Sequence, residues 1–203
     1  MNEANYNSTV LVISFRVLTK LPDYIDKYTN LKELYCNGNK ITSLDNLPAK
    51  LKVLECGNTK ITSLDNLPTT LEFLHCQWNK LTSLDNLPSK LKGLECYSNQ
   101  LTSLDNLPPN LEKLNCWNNH ITSLDNLPIT LKVLYCSNNK ITTLDNIPPK
   151  LIQLFCCNNN ITSLDNLPPN LAKLSCQNNQ LTYDFDPTLE NIRNYNASRI
   201  LSS

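Results

Sequence analysis

Glycine is nearly missing from this 203-residue chain, with only 3 present. That excludes the glycine-rich loops that cradle phosphates and the glycine-dependent calcium turns of some β-helical repeats. Histidine is almost as scarce: His75 and His120 are the only two, far apart in sequence. No histidine cluster therefore offers a metal or a general base, and no Ser/His/Asp set is visible. Neither sign of charge is in excess, because Lys plus Arg is 18 and Asp plus Glu is 18. No global field draws such a chain to nucleic acid or to an anionic membrane. A run of about 18 apolar residues is also lacking, which excludes a membrane-spanning helix. The apolar stretch Val10 to Phe15 is too short for a signal-peptide core and lacks a basic lead, so a cytoplasmic location is expected. The sequons at Asn7, Asn160 and Asn196 carry no weight in a chain this rich in Asn, Ser and Thr.

What is abundant is repetition. From Leu31 the chain recurs every 20 residues, in units beginning at Leu31, Leu51, Leu71, Leu91, Leu111, Leu131, Leu151 and Leu171. Each reads L-x-x-L-x-C-x-x-N-x-[IL]-T-[ST]-L-D-N-[LI]-P-x-x with few exceptions; the eighth decays after Thr182. Before them Leu11, Ile13, Leu18, Leu21 and Pro22 keep the same spacing and are followed by a longer return. We therefore divide the chain into a degenerate capping repeat over residues 1–30, eight repeats over 31–182, and a C-terminal cap over 183–203. One 20-residue unit cannot close a core, but stacked units can, since each apolar column continues through its neighbours. Leu34 and Cys36 alternate with Glu33, Tyr35 and Asn37, the period-two pattern of a strand with one buried face. The second half, ITSLDNLP, combines β-branched residues, Asp-Asn and proline, so it cannot sustain a helix. An extended convex side is expected, with at most one turn of 3₁₀ helix over Leu44 to Leu47. At the end of the chain Asp186-Pro187 reads as a helix start, with Asp as N-cap. A short amphipathic helix over Pro187 to Tyr195, using Leu189, Ile192 and Tyr195, would cover the last coil.

The spacing carried by Leu91, Leu94, Cys96, Asn99 and Leu101 resembles the leucine-rich-repeat hallmark. The 20-residue coil with Leu-Pro near its end looks like the repeats of secreted bacterial effectors. Its near-identical units with cysteine in the third core column look like repeat proteins of giant DNA viruses of amoebae. The resemblance implies a solenoid with short parallel strands on its concave face and a binding role without a fixed partner.

Several columns look like chemistry and read more simply as structure. Eight cysteines recur at 20-residue intervals from Cys36 to Cys176. In register on parallel strands their Cβ atoms lie about 4.8 Å apart and point the same way, beyond disulfide distances of roughly 3.5–4.5 Å. A straight ladder also cannot surround a tetrahedral zinc. We read them as buried filler in a reducing compartment, with Cys157 as a lone exposed thiol on the opposite face. The asparagine column (Asn39, Asn79, Asn99 and onward) should satisfy backbone groups of its own turn and the next coil, with Thr59 as a break and a site of local irregularity. The aspartate column from Asp45 to Asp165 should cap its own turns rather than bind calcium. No cofactor or metal is expected.

Information must then reside in the variable, outward strand positions. Large rings gather there: Tyr35, Phe73, Trp78, Tyr97, Trp117, Tyr135 and Phe155, with His75 among them. Drift with rings packing on one another is the bland reading. Their concentration on one face favours a partner-binding surface, because exposed Trp and Tyr most often anchor interfaces. The expected function is a non-enzymatic protein-binding scaffold, in a viral setting one that engages a host protein. A structural spacer, or a substrate-binding subunit for a ubiquitin ligase supplied in trans, are the alternatives. The 21 residues after Thr182 are too few for a catalytic domain.

Overall fold

A computed structural model describes residues 5–200, with backbone placement alone for Ile200. It contains one parallel sheet of nine three-residue strands. These are β1 (Val10–Val12), β2 (Glu33–Tyr35), β3 (Val53–Glu55), β4 (Phe73–His75), β5 (Gly93–Glu95), β6 (Lys113–Asn115), β7 (Val133–Tyr135), β8 (Gln153–Phe155) and β9 (Lys173–Ser175). They lie side by side in chain order. From β2 onward each residue pairs with the residue 20 further on, such as Leu94 with Leu114. At the first coil the offset is 23, Leu11 opposite Leu34, and the extra length contains a 3₁₀ turn over Ile25–Lys27.

The core is a stack of columns. Leucines at the first and fourth positions, the cysteine, the following Ile or Leu and the Leu before Asp are buried in coil after coil. Backbone bonds tie the coils beyond the strands as well. Lys52 N–H donates to Lys32 C=O and Glu72 N–H to Lys52 C=O, each at 2.8 Å. The asparagine column completes this network. Asn99 Nδ2 donates to Cys96 C=O in its own turn and to Cys76 C=O of the preceding coil, while its Oδ1 accepts from Leu81 N–H at 3.0 Å.

Two local expectations are corrected by the structure, the aspartate caps and the start of the terminal helix, and two are made specific. The convex side is extended as expected, and in place of a 3₁₀ turn over Leu44 to Leu47 the chain makes a tight turn at Asp45-Asn46, where Asn46 adopts a left-handed φ of 61° that a right-handed helix cannot contain. Asp carboxylates do not cap their own turns. Instead they accept from the asparagine of the next coil, as Asp65 does from Asn86 Nδ2 at 3.0 Å and Asp125 from Asn146 at 2.7 Å. The terminal helix, α1 (Leu189–Ile200), begins later and runs longer than expected. Thr188, not Asp186, is its cap: its Oγ1 accepts from Asn191 N–H and its carbonyl takes the first helical bond, from Ile192. The Thr59 coil keeps its strand register, so the break stays confined to hydrogen bonding.

Helix α1 covers the last coil as terminal repeats require. Ile192 is fully buried, and Leu189 and Tyr195 are half-buried. Arg193 donates to the carbonyls of Pro169 and Leu171, and Asn196 to those of Leu164 and Asp165. Side chains on the helix thus satisfy backbone acceptors that a further coil would otherwise take.

Candidate interaction face and relatives

The cysteines lie inside the ladder and carry no site. All nine are free thiols, and the eight of the column are buried. Burial pushes Cys36, Cys76 and Cys116 up to about 12, and Cys56, Cys96 and Cys136 well above the ordinary thiol range. Cys36 and Cys116 donate instead to the carbonyls of Glu55 and Tyr135. Cys157 is half-buried rather than fully exposed, because Gln177 of the next coil lies over it and accepts from Sγ at 3.0 Å. Among the described residues no group of three His, Cys, Asp or Glu could hold a metal, and no helix is long and apolar enough to cross a membrane.

On the outward face of the sheet, side chains from coils three to six converge on a concavity of about 510 Å³. It is lined by Trp78, Glu95, Tyr97, Asn115, Trp117, Tyr135 and Ser137. Four of the eight candidates from the sequence therefore meet. Trp78 packs edge-on against Tyr97 with ring centroids 5.6 Å apart, and Tyr97 leans on Trp117 at 5.9 Å. Trp78 is 54% exposed and Trp117 38%. Phe155 lies behind the concavity, stacked on Tyr135 at 4.6 Å and 8°. The remaining three stand apart. Tyr35 donates its hydroxyl to Glu33, His75 faces Glu55 at 3.6 Å, and Phe73, 42% exposed, lies over the missing Cβ of Gly93.

Glu95, Asn115 and Ser137 are not among the aromatic candidates. Their signal was their column, as they occupy the same outward positions of neighbouring coils. Glu95 Oε1 accepts from Lys113 at 2.8 Å and Oε2 from Asn115 Nδ2 at 2.7 Å. Asn115 Oδ1 in turn accepts from Trp117 N–H, which ties the polar floor to the aromatic wall. Burial and the Glu95 carboxylate hold the Tyr97 phenol above its usual pKa, so it remains a neutral donor.

Trp78 shares a backbone peculiarity with Phe15, which occupies the equivalent position of the first coil at a φ of 57°. The eighth residue of every repeat adopts a left-handed φ between 51° and 65°. The other seven are Gly38, Asn58, Ser98, Asn118, Asn138, Asn158 and Asn178, residues with little or no steric penalty or a short polar side chain there. A bulky indole costs roughly 1–2 kcal/mol in that conformation. Backbone strain of this kind accumulates where a side chain is needed for something other than folding.

Comparison with known proteins places this geometry. The family model for leucine-rich repeats in two copies matches residues 29–69, 109–148 and 129–169, together half of the chain. The chain belongs to the leucine-rich-repeat family. Its solved relatives include YopM from Yersinia enterocolitica WA-314, at 31% identity and a TM-score of 0.69 over 85% of this chain and 43% of that one. YopM from Yersinia pestis, a leucine-rich effector protein, matches at 31% identity and 0.72 over 85% and 56%. The functional domain of InlJ from Listeria monocytogenes, which includes a cysteine ladder, matches at 29% and 0.65 over 86% and 45%. The chain thus spans about half the length of these leucine-rich-repeat relatives. No curated protein sequence matches it. Leucine-rich-repeat solenoids commonly serve as protein-interaction scaffolds.

Proposed function

We propose that this leucine-rich-repeat chain is a non-enzymatic scaffold that holds a protein partner on the outward face of its strands, centred on the concavity of Trp78, Tyr97, Trp117 and Tyr135. One observation carries the reading: two tryptophans and two tyrosines from consecutive coils line a common concavity, with Trp78 edge-on against Tyr97 and Tyr97 leaning on Trp117. Exposed aromatic surface of this kind invites aggregation unless a partner covers it. The unpaired buried thiols agree with a partner met in a reducing, cytoplasmic setting. In the viral context that the near-identical repeats resemble, that partner is a host protein. Tyr35, Phe73, His75 and Phe155 form the periphery of this face.

The test is paired substitution. Tyr97→Ala with Trp117→Ala should abolish partner capture, since interface anchors lose about 2 kcal/mol or more, roughly thirtyfold, on truncation. The melting temperature should stay nearly unchanged, because both rings lie on the surface of the core. Asp105→Asn, on the opposite side, should leave capture intact. Retention by the aromatic double variant together with loss by Asp105→Asn would place the interface elsewhere.

A further inference from the structure

We infer that the concavity receives a cationic side chain of the partner polypeptide, a lysine ammonium or an arginine guanidinium. This rests on the protein-binding role and adds the chemistry that role recognises. Ring orientation is the first reason. Trp78 and Tyr97 stand at 81° to each other, and Tyr97 and Trp117 at 51°. Coplanar rings would make a flat platform for a planar ligand, whereas steeply inclined rings make the walls of a corner. A point charge seated in such a corner lies within about 6 Å of more than one ring face, the range of cation–π attraction.

Charge is the second reason. Glu95 supplies the only charge among the lining residues, and its side chain is 16% exposed, held by Asn115 against the floor. Its other oxygen already accepts an ammonium, that of Lys113, which is 52% exposed at the border. An incoming cation exchanges with Lys113 rather than creating a new buried charge pair. Lys113 is half exposed, so on release its ammonium returns to water while the incoming cation takes its place on Glu95 Oε1. An acidic side chain would meet the carboxylate and the negative ring faces together, and a neutral one would gain from neither.

The experiment uses an unusual feature of the chain: its two tryptophans are Trp78 and Trp117, both in the concavity. The two indole N–H resonances of the ¹⁵N-labelled 203-residue chain therefore report on this site directly. Three blocked tripeptides serve as probes at low salt: Ala-Arg-Ala, Ala-norleucine-Ala and Ala-Glu-Ala. The arginine peptide should shift both indoles with an affinity about tenfold above that of norleucine, and the glutamate peptide should shift neither. Glu95→Gln should weaken the arginine peptide severalfold, and Lys113→Met should tighten it. Equal shifts from arginine and norleucine, no shift from arginine, or insensitivity to both substitutions would overturn the cationic reading. The protein-binding role is judged separately, by partner capture with the Tyr97/Trp117 double variant.

Discussion

Thr59 interrupts the asparagine column, and the structure shows what that costs. In the regular coils the asparagine Oδ1 accepts from the amide 18 residues earlier, as at Leu81, Leu101, Ile121, Ile141 and Ile161. Ile41 is the corresponding amide for position 59, and among the described residues nothing accepts from it. Ile41 is fully buried, so its N–H is an orphaned donor. An unmade bond at such a site costs about 1–3 kcal/mol. The Thr59 hydroxyl is spent locally, on Cys56 C=O or Asn79 Oδ1, and its single proton can serve only one of them. Thr59→Asn would supply an acceptor for Ile41 and a second donor for Cys36 C=O, while Asn79 Oδ1 keeps the amides of residues 59 and 61. We expect a net stabilisation of roughly 1–3 kcal/mol. Since repeat arrays need not unfold in a single step, the decisive measurement is local amide exchange. Ile41 should exchange faster than Leu101 and Ile121 in the natural protein, and slow about tenfold or more in the variant. The reverse change, Asn99→Thr, should open Leu81 in the same way. An unchanged Ile41 rate in Thr59→Asn would refute the account of this column as amide satisfaction.

Other outcomes follow from the same coordinates. Under native conditions a thiol-alkylating reagent should modify Cys157 first and spare the eight column cysteines, as mass spectrometry of peptides would show, because burial holds those thiols protonated. Replacing the fully buried Leu94 by Ala should cost about 2–5 kcal/mol. The added exchange should concentrate in the coils beginning at Leu71, Leu91 and Leu111; a uniform rise along the chain would instead reveal one cooperative unit. Glu72, held by Lys92 and Lys52 at 2.8 and 2.9 Å, has its carboxyl lowered to about 2. Its folded pKa is depressed, so its contribution is present above the ordinary carboxyl range and lost as pH falls from about 4.5 toward 2. Acid titration of stability should therefore flatten in Glu72→Gln and at high salt, since both lysines are half exposed.

The 20-residue recurrence was sufficient to determine the solenoid, its strands and the buried leucine and cysteine columns, and Asp186-Pro187 with the apolar residues after it announced a terminal helix. Periodicity says which column a residue occupies, and in a stack of like units the column dictates burial. What periodicity cannot say is how neighbouring columns meet. The aspartates of five coils accept from the next coil's asparagine, an arrangement invisible in a string of Asp-Asn pairs. Thr188 displaced Asp186 as the helix cap because α1 had to reach Ile192 into the last coil and set Arg193 and Asn196 over the open carbonyls. Eight rings were legible as one face, yet only Trp78, Tyr97, Trp117 and Tyr135 enclose a common space. That selection depended on the left-handed backbone at Trp78 and on Glu95, Asn115 and Ser137, small polar residues whose part in the site exists only once four coils are stacked.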